Sequence, residues 1–204
     1  LLEGGAADAD VTIVAVPNHD AARVLAPQAA DLDAIGALGS SPIVNLHVHY
    51  DRRVLDEPFA ATVGSPAQWL FDRTESSGTE TGQLVSLSLS GADEEIDAPL
   101  DALRSRYLPA LERLLPAARE AVVLDVFAIR EPRATFRVAP GTRALRPGSR
   151  TRQPGLYLAG AWTDTGWPAT MEGAVRSGNA AAEAFLTDLH SRRPAPLEPL
   201  GAAA

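Results

Sequence analysis

The stretch Gly155–Gly178 reads GLYLAGAWTDTGWPATMEGAVRSG, and it decides the fold expected of this chain. It begins as an apolar strand that ends at Ala159-Gly160, where small residues let another backbone or a ligand approach closely. A polar loop follows, and Pro168 stands where the first turn of a helix tolerates proline. The free amide groups of that first turn would face the carboxyl end of the strand. The stretch therefore predicts a strand, a loop and a helix whose start can bind an anion.

The closing helix is predicted to run from about Ala169 to Leu189. Its apolar residues recur at three- and four-residue spacing: Met171, Ala174, Val175, Gly178, Ala182, Phe185, Leu186 and Leu189. Gly173 and Gly178 each cost about 1 kcal/mol relative to alanine, which indicates close packing against the helix. Units of strand, loop and helix occur throughout doubly wound folds. The pattern alone therefore leaves two interpretations open, a ligand site or an ordinary α/β unit.

Short apolar or alternating runs predict the strands of the remaining chain. They lie at Val11–Val16, Ile43–Tyr50, Phe59–Val63, Gln68–Phe71, Leu84–Leu89 and Val122–Ile129. In Ile43–Tyr50 the apolar side chains alternate with Asn45, His47 and His49 and share one face. Leu84–Leu89 alternates with serine, which predicts a half-buried strand. The close spacing of these strands indicates an antiparallel sheet.

Two helical regions complete the pattern, His19–Leu38 and Asp93–Leu115. Pro27 ends the first piece of the former, and Pro99 and Pro109 divide the latter into two helices or one kinked helix. The order of elements predicts an α/β fold with an α+β insertion.

Composition excludes several classes of function. The chain has 204 residues, of which 46% are hydrophobic and 22% charged, as in ordinary globular proteins. Its net charge of -8 argues against nucleic acid as a partner, because nucleic acid attracts basic patches. No cysteine is present, so disulfides and thiolate metal sites are excluded and a cytoplasmic setting is favoured. No apolar run approaches the roughly 20 residues that a bilayer span needs.

The segment WPATMEGAVRSG, residues 167–178, resembles the C-terminal flavin motif of the amine oxidase and phytoene desaturase superfamily. The resemblance implies FAD as the cofactor and places the start of the closing helix near the flavin. The cofactor-binding residues that it implies are Gly160, Ala161, Trp162, Asp164, Gly166, Trp167, Thr170, Met171, Glu172 and Ala174. A positive helix end at that place would stabilise the charge of a reduced flavin.

Two further stretches resemble one branch of this superfamily, the hydroxysqualene dehydroxylases. They are VNLHVHYDRRVLDEPF at Val44–Phe59 and GSPAQWLFDRT at Gly64–Thr74, and DVTIVAVP at Asp10–Pro17 resembles the preceding FAD-domain strand. The resemblance implies an FAD-dependent oxidoreductase that converts hydroxysqualene to squalene in squalene or hopanoid biosynthesis. A phytoene-type desaturase or an amine oxidase is the alternative within the superfamily. A non-catalytic fragment unable to bind flavin is the alternative of another class.

The resemblance also implies the domain organisation: the C-terminal part of a doubly wound FAD-binding domain plus an antiparallel-sheet substrate domain. We expect FAD-domain segments at residues 1–38 and 149–190, a substrate domain at 39–148 and a disordered tail at 191–204. The chain begins at Leu1 and lacks the G-x-G-x-x-G unit that binds the pyrophosphate of FAD. The expected partners are therefore the missing N-terminal half and a lipid-like isoprenoid substrate, with peripheral contact to a membrane surface.

Individual residues carry the remaining expectations. Ala161 stands where the family has an acidic residue that binds a sugar hydroxyl of FAD. Either Asp164 substitutes for that residue or the loop binds the hydroxyl through its backbone and water. Trp69 and Phe71 either line an apolar tunnel for the isoprenoid, together with Trp167, or pack in the core. His47 and His49 lack an evident third ligand, so no metal site is predicted. No catalytic acid or base is assigned.

Overall fold

The structure, a computed structural model, describes residues 9–192. Its strands are β1 (Thr12–Val14), β2 (Ser41–Tyr50), β3 (Phe59–Ala61), β4 (Trp69–Asp72), β5 (Gln83–Ser90), β6 (Val123–Thr135) and β7 (Leu156–Leu158). Its α-helices are α1 (Asn18–Val24), α2 (Leu32–Ala37), α3 (Thr74–Ser77), α4 (Leu100–Leu114) and α5 (Met171–Arg192). Short 3-10 helices lie at Pro116–Arg119 and Thr142–Leu145.

The chain divides into two compact units. The sheet unit is Ser40–Thr135, and the split unit consists of the chain before Ser40 and the chain from Phe136 onward. The substrate domain was expected to end at Gly148, but residues 136–148 belong to the split unit. The reason is packing, because Phe136 is buried in a cluster with Ile35, Leu38 and Trp162. Of the expected tail, residues 191 and 192 belong to α5, and residues 193–204 lie outside the described part.

The sheet unit is built on a five-stranded antiparallel sheet with the strand order β3-β4-β5-β2-β6. The predicted alternation of β2 is confirmed, since Val44, Leu46, Val48 and Tyr50 are all buried. These side chains form a core with residues of α4, among them Leu103, Tyr107 and Leu111. A strand with one face buried fixes the pairing register, because a slip of one residue would expose its apolar side chains.

Two expectations for the sheet unit are wrong. Ser86, expected on the solvated side of a half-buried strand, is only 4% exposed. The helix expected from Asp93 begins at Leu100, directly after Pro99. Pro99 has an extended backbone and lies where a helix can begin, whereas Pro109 lies inside α4 without ending it. The start of α4 therefore follows Pro99 and not the acidic residues that precede it.

The side chain of Asp72 joins β4 to the loop that precedes α3. Burial works to raise the pKa of this carboxyl group, but hydrogen bonds from the hydroxyl and amide of Thr74 and from Gln83 outweigh it and lower the pKa. The hydroxyl of Thr74 lies 2.5 Å from Oδ1 of Asp72, and Nε2 of Gln83 lies 2.7 Å from its Oδ2. The native state therefore favours the ionised carboxylate.

We expect Asp72→Asn to reduce the stability of the sheet unit at pH 7. A lowered pKa in the folded state stabilises above the unfolded pKa of about 3.9, and this stabilisation is lost as the pH falls through the folded value. The stability difference between the native chain and the variant should therefore shrink as the pH falls from 7 toward 3. Urea unfolding over this range measures it. Asp56→Asn, at a carboxylate whose side chain is 98% exposed, controls for the lost charge; a gap that is independent of pH would contradict the expectation.

Candidate cofactor site

The expected strand, loop and helix are present in the split unit. β7 pairs with β1 in parallel, with Ile13 opposite Tyr157. The amide of Ala159 donates to the carbonyl of Val14 at 2.9 Å, which continues the pairing past the end of β7. The chain then leaves the strand at Gly160 with φ of 137°, a conformation that side-chain-bearing residues rarely adopt.

The side chain of Trp162 joins the loop after β7 to the chain that follows β1. Its side chain is 3% exposed, and its Nε1 donates to the carbonyl of Val16 at 2.9 Å. A Cβ at Gly160 would lie 2.3 Å from the same Nε1, so glycine is required there. The amide of Gly160 also donates to the hydroxyl of Ser177 at 2.7 Å, which joins the strand end to α5. The buried Trp162 ring therefore acts as a structural anchor of the loop.

The part of the loop that follows offers an aromatic face. Trp167 is 40% exposed, and the guanidinium of Arg176 lies 4.6 Å from the centre of its ring. Glu172 holds Arg176 in place, since Nε of Arg176 donates to Oε1 of Glu172 at 2.7 Å. A cation over a tryptophan face is attracted by the ring quadrupole, so these contacts orient Trp167.

The start of α5 is capped by Thr170. Its hydroxyl accepts from the amide of Gly173 at 3.1 Å, which leaves other first-turn amides available to a ligand. A Cβ at Gly173 would lie 2.7 Å from the carbonyl of Pro168, which confirms the expected close packing there. At Gly178 a Cβ would meet no atom of the described residues within 4 Å, so packing within residues 9–192 does not explain that glycine.

The predicted cofactor residues thus form one continuous region with unequal accessibility. Glu172 and Ala174 are exposed on α5, and Met171 is 88% exposed. Asp164 is exposed and accepts from the amide of Gly166 at 3.3 Å. The side chain of Trp162 is buried. An exposed tryptophan ring beside free helix amides fits a flat aromatic ligand with a polar edge, as flavin is.

The apolar stripe expected along α5 is not its buried face. The buried positions are all small residues, and two of them, Ala181 and Ala184, pack in a cluster with Tyr157 of β7; the full set is Gly173, Ser177, Ala181 and Ala184. Met171, Val175, Leu186 and Leu189 are exposed by 48% or more. Small residues allow the helix to approach the strands closely, and the larger apolar side chains consequently point away from them.

In the sheet unit, a row of side chains crosses all five strands on the face opposite α4. The cross-strand partners are Phe59, Phe71, Ser86, His47 and Phe127, and we call this set the aromatic row. Phe59 is 58% exposed and Phe127 is 40% exposed. The row therefore gives one face of the sheet a broad apolar surface.

Trp69 extends the aromatic row, with its ring centre 6.3 Å from that of Phe71. Its side chain is 43% exposed, so it does not pack in the core. The guanidinium of Arg73 lies over the Phe71 ring, 5.0 Å from the centre of that ring. Of the two interpretations open for Trp69, this exposure contradicts packing in the core, and the contact with an isoprenoid stays a prediction.

His47 lies within the aromatic row, and the hydrogen-bonding capacity of its two ring nitrogens is unsatisfied among the described residues. Its ring stacks on Phe127 with centroids 4.6 Å apart and planes at 10°. Among the described residues neither of its buried ring nitrogens has a hydrogen-bond partner. Burial lowers the pKa of His47, and the charge of Arg73 adds to that shift. His49 differs, since its Nε2 contacts the carbonyl of Thr81 at 2.8 Å.

We expect His47→Phe to stabilise the sheet unit by about 1 kcal/mol or more, because it removes two unsatisfied polar atoms and keeps the ring stack. The lowered pKa of His47 means that protonation in the unfolded state destabilises the native chain as the pH falls below about 6.5. The gain should therefore be larger at pH 5 than at pH 7 in urea unfolding. His49→Phe, which loses a hydrogen bond, should give no gain; equal effects of both variants would contradict the explanation.

Comparison with known proteins decides the family. The family model described as flavin containing amine oxidoreductase matches residues 1–186. The chain belongs to this family. The flavin containing amine oxidoreductases are FAD-dependent oxidoreductases. Two relatives of the chain are enzymes that act on isoprenoids.

Hydroxysqualene dehydroxylase of Rhodopseudomonas palustris is 34% identical over 177 residues, which cover 87% of this chain and 38% of that relative. The 15-cis-phytoene desaturase of Solanum lycopersicum is 26% identical and is matched over 92% of this chain and 34% of its own length. The chain thus spans less than half the length of either curated relative.

The fold of the chain is also found in a solved oxidase. Cyclohexylamine oxidase from Brevibacterium oxydans IH-35A superimposes with a TM-score of 0.61 at 16% identity, covering 87% of this chain and 43% of that one. The predicted α/β fold with its antiparallel insertion is thereby confirmed as part of this architecture. Within residues 9–192, no helix has the length and apolar character needed to cross a membrane.

Sequence reasoning missed one residue at the candidate site. Arg146 follows the 3-10 helix Thr142–Leu145 and binds the backbone of the loop between β7 and α5. Its position within a proline- and arginine-containing connection gave no signal, because the contact partners lie 15 to 21 residues later in the chain. Only the folded backbone brings them together.

Proposed function

We propose that the chain carries the flavin-closing strand and helix and the substrate domain of an FAD-dependent oxidoreductase that converts hydroxysqualene to squalene. The observation that carries the proposal is the loop between β7 and α5, with the exposed Trp167 beside the capped start of α5. The identity to a hydroxysqualene dehydroxylase favours this substrate over others.

When bound, FAD supplies the hydride chemistry, and the protein supplies orientation and electrostatics. Three sets of groups would hold it: the loop backbone at Gly160, Ala161, Asp164 and Gly166, the ring of Trp167, and the start of α5 at Thr170, Met171, Glu172 and Ala174. The positive end of α5 would stabilise negative charge on the ligand. Ala161 provides no carboxylate for a sugar hydroxyl, so Asp164 or the backbone takes that contact.

The substrate is proposed to lie against an apolar surface. Trp69 and the aromatic row, which includes Phe71, line it. Aromatic side chains with exposed faces suit a long hydrocarbon, which binds by burial of apolar area. A lipid substrate also favours a cytoplasmic protein that touches the membrane surface peripherally.

A further partner is proposed for the outer face of α5. Apolar surface is exposed there by Met171, Val175, Leu186 and Leu189, and Ile13 of β1 is also half-exposed. Exposed apolar patches of this kind mark interaction sites. We propose that the dinucleotide-binding half of the same polypeptide covers this face, in keeping with the greater length of the relatives.

The test uses the polypeptide expressed from the complete reading frame. Purified protein should bind FAD stoichiometrically, and with chemically reduced FAD under anaerobic conditions it should convert hydroxysqualene to squalene, since replacing a hydroxyl with hydrogen is a reduction. Phytoene and a simple amine, tested with oxidised FAD, are the competing substrates. Turnover of phytoene alone would favour the desaturase alternative that the tomato relative suggests. A colourless protein that binds no FAD would overturn the proposal.

A further inference from the structure

We propose that Arg146 is the positioning residue of the loop Ala161–Trp167, and that it holds this loop in the conformation that receives the cofactor. The identity of the loop as a cofactor loop rests on the proposed function. The positioning itself is argued from contacts of Arg146 within the split unit.

The guanidinium group of Arg146 donates to several carbonyl groups of this one loop. Nη1 donates to the carbonyl of Trp167 at 2.8 Å, and Nη2 donates to those of Ala161, at 3.0 Å, and Thr163. Nε lies 3.4 Å from the carbonyl of Trp162. One rigid, planar cation thus joins the two ends of the loop and its middle, which no sequence-local contact does.

The surroundings of Arg146 keep the guanidinium in place. It is half-buried, and its central carbon lies 5.1 Å from the centre of the Phe136 ring. Burial lowers the pKa of Arg146, the nearby Asp164 raises it and Arg143 lowers it. Arginine nevertheless stays protonated in proteins, so the charge persists at the site. A permanent charge surrounded by carbonyl oxygens is a strong restraint on their positions.

The consequence for binding is preorganisation. A free loop of this kind would lose conformational entropy when a ligand orders it. A loop already fixed by Arg146 avoids part of that loss, which appears as higher affinity. Lysine cannot replace the arginine, because its ammonium group lacks the planar fork that reaches carbonyls on several sides.

The test compares Arg146→Met and Arg146→Lys with the control Arg143→Met in the polypeptide from the complete reading frame. Arg143 is exposed and lies on the 3-10 helix that Arg146 follows. It lines the same cavity of about 240 Å³ as Arg146, but it does not donate to the loop carbonyls. Two readouts are needed. Hydrogen exchange of the cofactor-free protein reports the order of the loop, and titration with FAD reports affinity.

Both Arg146 variants should accelerate amide exchange in peptides covering residues 161–168 and should weaken FAD binding about tenfold or more, whereas Arg143→Met should change either quantity less than twofold. Exchange in the sheet unit should stay unchanged. Unaltered exchange of the loop in Arg146→Met, or altered exchange with full FAD affinity, would overturn the inference. Failure of the unmutated protein to bind FAD would instead overturn the proposed function, and exchange would still test the loop contact.

Discussion

Gly160→Val should abolish FAD binding and destabilise the split unit by about 3 kcal/mol or more, from backbone strain and a lost buried hydrogen bond. The φ of 137° at Gly160 is a conformation open mainly to glycine, and a Cβ would lie 2.3 Å from Nε1 of Trp162. The indole would have to move, and its hydrogen bond to the carbonyl of Val16 would break. The loop would then lose the anchor that joins it to β1.

Urea unfolding and FAD titration of the polypeptide from the complete reading frame measure both effects. Gly178→Ala is the matched control, because its Cβ would meet no atom within 4 Å and alanine favours a helix by up to about 1 kcal/mol. The control should be as stable as the original or slightly more stable. Native stability and native FAD affinity in Gly160→Val would refute the strained geometry described for this strand end.

Gln83→Leu should destabilise the sheet unit by about 3 kcal/mol or more, since unsatisfied buried groups cost about 1–3 kcal/mol each. Gln83 is 2% exposed. Its Oε1 accepts from the amides of Val54 and Leu55 at 2.7 and 2.8 Å, and its Nε2 donates to the carbonyl of Leu55 and to Asp72, both at 2.7 Å. Leucine has a similar size but leaves three buried backbone groups without partners.

Gln68→Leu provides the comparison for this prediction. Gln68 also bonds a backbone amide and a carbonyl, those of Ser90 at 2.9 and 3.0 Å, but it is exposed. Water can replace its hydrogen bonds, so the loss there should stay below about 1 kcal/mol. Urea midpoints at pH 7 distinguish the two variants. Equal losses of stability would show that burial does not determine the free energy lost with these hydrogen bonds.

The site was predictable as far as local sequence specifies local backbone. The glycine at the strand end, Pro168 before the helix and the polar loop between them predicted the turn out of β7 and the start of α5. The alternation in β2 predicted its buried face, because a strand has a period of two residues and one face packs on α4. These features depend on near neighbours in the chain.

The burial of particular side chains was not predictable in the same way. The large apolar residues of α5 were read as its packed face, yet the helix packs through Gly173, Ser177, Ala181 and Ala184. Periodicity identifies an apolar stripe but not the element that lies against it. The burial of the Trp162 ring and its hydrogen bond to the carbonyl of Val16 were likewise not visible in the sequence.

The sequence by itself determined the family, the strand, loop and helix of the candidate site, and the alternating strands of the sheet unit, because each depends on residue types at short, fixed spacing. The tertiary structure alone decided which residues the loop depends on. Arg146 reaches carbonyls up to 21 residues away, and His47 meets Phe127 from a strand far along the chain. Such contacts arise only when strands pair and loops fold back, since packing and not spacing brings those atoms together.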